Sequence, residues 1–245
     1  MSIGQRRRPE HLPQQHAQKK IGCNQSALQA IVPVVPVVRG KFLVLEGIDG
    51  AGTTSQLDRV VEHIRSLGFA AVATCEPSTG PIGRLLREAL LGRLAMPDGR
   101  GLDGRTMAML FAADRFDHLQ REVEPQLALG TTVVSDRYLL SSLAYQAEEA
   151  DRDWVQILAR GVIKPDRTLL LDLPVEVAAK RRLAAGRPVE RYDADSYLAK
   201  VAANYRALAK EDSSVVVVNG AGSKEEVTAA ICQAIAPLFA PPPRS

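Results

Sequence analysis

From Lys41 onward the chain alternates short, continuously apolar runs with longer segments whose apolar positions recur at helical spacing. The runs are Phe42–Leu45, Ala70–Thr74, Thr131–Ser135, Arg167–Asp172 and Ser214–Val218. A run that is apolar throughout, rather than at alternate positions, suits a strand covered on both faces, and such strands build mostly parallel sheets. Helical spacing falls between them, over residues 54–67, 81–91, 104–129, 139–160, 174–185, 194–210 and 223–237. The alternation predicts a three-layer α/β fold in which a five-stranded, mostly parallel sheet is flanked by helices. Ligands of such sheets gather beyond the carboxyl ends of the strands, so the residues after each run are where chemistry is expected.

The first run leads into Gly47-Ile48-Asp49-Gly50-Ala51-Gly52-Thr53-Thr54. Gly47 and Gly52 have the spacing of a phosphate-binding loop, GxxxxGK[ST], set between a strand and a helix. Glycines let successive N–H groups converge into an anion nest, and the helix that follows adds its positive end. Thr54 stands where the hydroxyl ligand of Mg2+ belongs, but Thr53 occupies the lysine position. A glycine-rich strand-to-helix turn that binds no phosphate is the alternative. The third run ends in Ser135-Asp136-Arg137-Tyr138, which places Asp136 as a Mg2+-organising carboxylate and Arg137 as a planar phosphate clamp. Against that stands an Asp N-cap beside a solvated arginine, a common arrangement. Phe111 and Arg115 are four apart and share a helix face, an aromatic plane beside a guanidinium that suits a flat base. The alternative is a core phenylalanine and an arginine paired with an acid. His118 reads as an N–H donor in a packed helix, since nothing resembling a metal site surrounds it in the sequence.

Composition adds a core to this picture and charge removes a partner from it. Hydrophobic residues make up 46% of the 245 but aromatics only 4%, so Leu, Val, Ile and Ala fill the interior. The formal net charge of +3 would by itself suggest nucleic acid or a membrane surface. Residues 1–39, however, hold six basic residues against Glu10, leaving 25 basic and 27 acidic residues, a net of −2, for 40–245. The basic character belongs to a leader rich in Gln, Arg and Pro that has almost nothing to bury and reads as disordered. A misassigned start accounts for it as well as a targeting role does. The expected organisation is a leader over residues 1–38, one folded domain over 39–238 and a disordered tail over 239–245. Neither nucleic acid nor membrane is expected as a partner. Cys23, Cys75 and Cys232 form no CxxC pair and are odd in number, which suits a reduced, cytoplasmic protein.

Taken together, Gly47–Gln56, the Glu76–Gly83 turn, Leu110–His118, Val133–Gln146 and Pro165–Ala178 resemble the thymidylate kinase (dTMP kinase) family of P-loop nucleoside monophosphate kinases, in order and spacing over residues 40–237. The resemblance implies an enzyme that phosphorylates dTMP to dTDP with ATP and Mg2+, by direct in-line transfer, in dTTP synthesis. It implies that the amides of Gly47, Ile48, Asp49, Gly50, Ala51, Gly52, Thr53 and Thr54 hold the ATP phosphates. Thr54 would bind Mg2+ directly and Asp136 through water. Asp49 would face the deoxyribose 3′-hydroxyl, Phe111 would stack on thymine, and Arg115 would bond a thymine carbonyl. Arg137 would clamp the dTMP phosphate, and Ser141, Tyr145 and Gln146 would line the base pocket.

Residues 181–193 suit a mobile lid with Gly186 as hinge. Gly50 occupies the position of the family's P-loop arginine, so the lid would supply the catalytic arginines, Arg187 and Arg191. Arg181 and Arg182 read equally as lid cations or as a solvated face. Two departures stand out. Thr53 removes a cation from the phosphates, so that a lid arginine substitutes or activity is low. Cys75 replaces an arginine. The resemblance also implies a homodimer. A kinase for another nucleoside monophosphate and a catalytically silent nucleotide-binding protein are the competing readings.

Overall fold

β1 (Phe42–Glu46) and β3 (Thr132–Asp136) are buried at every position, and β4 (Arg167–Asp172) is buried along its centre. The computed structural model, which describes residues 38–186 and 188–240, sets these strands inside a single sheet. β2 (Ala71–Cys75) and β5 (Val215–Asn219) form its edges, the order is β2-β3-β1-β4-β5, and every pairing is parallel. Each expected strand is therefore present, shifted by one residue at most. The pleat divides β1 between two apolar clusters: Leu43 and Leu45 join Ile64 on one face, and Phe42 and Val44 join Leu119, Val123 and Leu127 on the other.

The helices are α1 (Thr53–Ser66), α2 (Pro81–Leu90), α3 (Gly104–His118), α4 (Glu124–Ala128), α5 (Leu139–Tyr145), α6 (Arg152–Leu158), α7 (Val175–Ala185), α8 (Asp195–Glu211) and α9 (Lys224–Ile235). Two segments expected as single helices are divided. Residues 104–129 become α3, a π-helical stretch over Leu119–Val123, and α4, with Pro125 in the first turn of α4. Proline has no N–H for the α-helical ladder, and the Glu124 N–H reaches back to Leu119 O in the wider π pattern. Residues 139–160 break before α6, where the Asp151 side chain accepts from the Trp154 N–H at 2.8 Å. That is an N-cap, and it begins a new helix.

Segments after β1 and β3, the two central neighbours, leave toward opposite edges of the sheet, which opens a crevice beyond their carboxyl ends. Residues 1–37 of the leader, residues 241–245 of the tail and Arg187 lie outside the described residues. Among the described residues no helix is long and apolar enough to cross a membrane.

Candidate active site

Parallel register puts Leu45 beside Asp136, so the loops after β1 and β3 start side by side. Gly50 and Gly52 have φ of 90° and 96°, a left-handed region open to glycine at little cost. A Cβ on Gly50 would come within 2.4 Å of Ala178 O, so the loop is pressed against α7 and no larger residue fits there. Thr53 opens α1 and is buried. Thr54 Oγ1 donates to Asp136 Oδ2 at 2.5 Å. Asp136 Oδ1 is buried without a hydrogen-bond partner among the described residues. A hydroxyl and a half-satisfied carboxylate fit a divalent cation that keeps most of its own water.

Arg137 is the one non-glycine residue with positive φ among those described, at 72°. That backbone turn aims its guanidinium at the P-loop, where Nη2 lies 3.0 Å from Asp49 Oδ1. The Tyr145 hydroxyl donates to Asp49 Oδ2 at 3.0 Å and accepts from the Asp49 N–H at 3.1 Å, while the Arg137 guanidinium sits 5.3 Å from the Tyr145 ring centre. Beneath this trio lies Glu46, wholly buried at the end of β1. It accepts from Tyr138 N and Ser141 N at 3.0 and 3.1 Å, from Ser141 Oγ at 2.6 Å and from the Tyr205 hydroxyl at 2.9 Å. Burial raises the Glu46 pKa, against the opposing pull of the Ser141 bond and the Arg137 charge. Ser141 is thus engaged by Glu46, Tyr205 and Arg137. Sequence reasoning assigned no role to Glu46 or Tyr205. A charged residue closing an apolar strand was the available signal for the first, and nothing pointed to the second.

Arg115 is 2% exposed, and its Nε and Nη2 donate to Glu76 Oε2 at 3.1 and 2.9 Å. Nη2 also donates to Tyr138 O at 3.1 Å and Ser142 Oγ at 2.9 Å. The arginine therefore does pair with an acid, as its alternative reading had it, and Glu76 and Ser142 join the site unannounced. Phe111, one turn earlier on α3, is half-buried against the core. Gln146 Oε1 is buried without a hydrogen-bond partner among the described residues.

A cavity of about 810 Å³ lies over the P-loop, with Arg137, Arg181, Arg182 and the start of α9 in its walls. Arg181 donates to the carbonyls of Ala51 (3.3 Å), Gly220 (2.9 Å), Ala221 (3.4 Å) and Gly222 (3.2 Å). Arg182 donates to Asp49 O at 2.8 Å and to Asp195 Oδ1 at 2.5 Å. These two, left undecided by the sequence, both reach the loop. Arg191 is not in the cavity wall. It donates to Leu102 O at 2.6 Å and pairs with Glu149 Oε2 at 3.0 Å.

Comparison with known proteins extends these observations. The thymidylate kinase family pattern matches residues 45–231. The chain is 39% identical over 191 residues to a probable thymidylate kinase of Thermococcus onnurineus, covering 76% of this chain and 92% of that protein. A probable thymidylate kinase of Pyrococcus abyssi is likewise 39% identical over 191 residues, covering 78% and 93%. The thymidylate kinase of Thermomicrobium roseum is 38% identical over 178 residues, covering 70% and 82%. Among solved structures, thymidylate kinase from Candida albicans superposes with a TM-score of 0.70 at 24% identity, covering 82% of this chain and 92% of that one. That likeness bears on the fold.

Proposed function

The chain belongs to the thymidylate kinase family, and from that premise we propose that it transfers the γ-phosphoryl group of ATP to dTMP, with Mg2+, to give ADP and dTDP. A phosphate oxygen of dTMP attacks the γ-phosphorus in line while the bond to the β–γ bridging oxygen breaks. The observation that carries this reading is the meeting of Asp49, Arg137 and Tyr145 at the lip of the P-loop, next to Thr54 and Asp136. A phosphate clamp and a sugar-facing carboxylate thereby stand beside a nest for a second set of phosphates. Phosphoryl transfer asks for positioning and charge neutralisation more than covalent chemistry, and this arrangement offers both.

In this reading the amides of Gly47 to Thr54 hold the ATP phosphates. Arg137 clamps the dTMP phosphate, Asp49 faces the 3′-hydroxyl, and Phe111, Arg115, Tyr145 and Gln146 receive the thymine. The buried, unpartnered Gln146 Oε1 supports a polar contact to the base there. Thr54 directly and Asp136 through water would hold Mg2+, which would supply charge neutralisation at the phosphates; the unpartnered Asp136 Oδ1 supports that assignment. With Thr53 in place of the lysine, Arg181 is the cation suited to the ATP side, because the carbonyls it touches leave its charge uncompensated. Arg191 and Arg187 stay assigned to the lid over residues 181–193, Arg191 acting once it leaves Glu149.

The reading also includes a homodimer and a cytoplasmic location. Met109 and Phe116 lie seven residues apart on α3 and are exposed, as is Leu85 on α2, and this apolar face supports packing against a second copy.

An ADP-release assay with ATP, Mg2+ and a panel of dTMP, dUMP, UMP and CMP tests the activity. Turnover with dTMP is expected. Turnover with another monophosphate alone would move the enzyme to a different substrate, and none with any would leave a nucleotide-binding protein in which Thr53 is the lesion.

A further inference from the structure

Behind Arg115 lies a buried polar cluster that the transfer reaction does not use. His118, on the last turn of α3 and three residues beyond Arg115, has no exposed surface. Its Nε2 is 2.7 Å from Thr74 Oγ1 on β2, and its Nδ1 is 3.3 Å from Glu76 Oε1. Glu122, from the π-helical stretch, accepts the Thr74 hydroxyl at 2.8 Å and has Oε2 3.6 Å from His118 Nε2. Asp114, on α3, completes the charged surroundings and accepts from Ser78 N and Oγ at 2.7 and 2.6 Å.

The ring thereby bridges β2 and the loop that follows it, one nitrogen meeting the Thr74 hydroxyl and the other the Glu76 carboxylate. Buried polar contacts joined in this way hold their members in one geometry.

We propose that His118 positions Glu76 so that Glu76 in turn holds the Arg115 guanidinium. The ring faces Glu76 from the loop after β2 and Glu122 from the π-helical stretch. One carboxylate thereby takes Nδ1 of His118 on Oε1 and the Arg115 fork on Oε2. Arg115 is fixed in the orientation that aims it at the base pocket, a step that rests on the dTMP reading above. His118 touches neither substrate nor reacting atoms and acts only through Arg115.

The test has two arms. His118→Asn, whose amide nitrogen stands where Nδ1 does, keeps the Glu76 contact and is expected to hold the KM for dTMP within about twofold of wild type. A rise as large as that of His118→Gln overturns the assignment of the positioning role to Nδ1. In His118→Gln, the KM for dTMP is expected to rise about tenfold, the loss of one charge-assisted contact, while the KM for ATP stays within about twofold. No rise, or an equal rise for both substrates, overturns the positioning role. A wild-type chain that binds no dTMP would instead overturn the dTMP reading, a result distinct from a wild-type KM that the variants leave unchanged.

Discussion

Glu46 is a carboxylate without access to water, and its burial leaves a thermodynamic mark. Its folded pKa is raised above the ordinary 4.5, first by desolvation. The folded state then binds the Glu46 proton more tightly than the unfolded state does. Its contribution to stability is therefore fully present below pH 4.5 and is lost as pH climbs through the raised value. Glu46→Gln lacks that loss. Its unfolding free energy relative to wild type should climb as pH rises above 4.5, measured by urea denaturation at matched pH values; a constant difference would mean that burial does not raise the Glu46 pKa. At the same scale, Arg181 sits against four carbonyl oxygens at the mouth of the P-loop. Arg181→Gln should raise the KM for ATP by about tenfold and leave that for dTMP within about twofold, read from initial rates. Equal effects on both would place this arginine outside the ATP side.

Element boundaries follow from chemistry that lies mostly within a few residues, and so they were largely legible. Ser223 and Glu226 form a reciprocal capping box at the start of α9, with Ser223 Oγ accepting from Glu226 N at 3.2 Å and Glu226 accepting from Ser223 N at 2.8 Å. Ser223→Ala should lower stability by about 1 kcal/mol, seen as a shift of the urea midpoint with unchanged slope. The expected α9 and the observed one agree closely because that box is written in four consecutive residues. The two divided helices show where periodicity fails. Apolar spacing is nearly the same in α, π and capped segments, so Leu119–Val123 and the new start at Asp151 were hidden inside continuous patterns. Pro125 and Asp151 were the available signals, each a single residue against a long periodic background.

For the whole molecule, the charge divides by position along the chain. With residues 1–38 removed, the remainder carries a formal charge of −1, since residues 40–245 sum to −2 and Arg39 adds one positive charge. Such a truncation should lose its retention on a cation exchanger at neutral pH and keep its ADP-release rate; a marked loss of rate would make the leader part of the enzyme.

What the sequence determined by itself was the α/β alternation, the five strands and the P-loop spacing. Strand burial and glycine turns are encoded locally, in runs of apolar residues and in fixed offsets. The tertiary structure alone decided which ions meet. Asp49 finds Arg137 and Tyr145, Glu46 finds Ser141 and Tyr205, and Glu76 finds Arg115 and His118, all across the sheet's carboxyl ends. It also seated Arg181 and Arg182 at the loop and Arg191 on Glu149. Those pairings join residues far apart in the chain, and they depend on strand order and side-chain direction, which no local pattern carries.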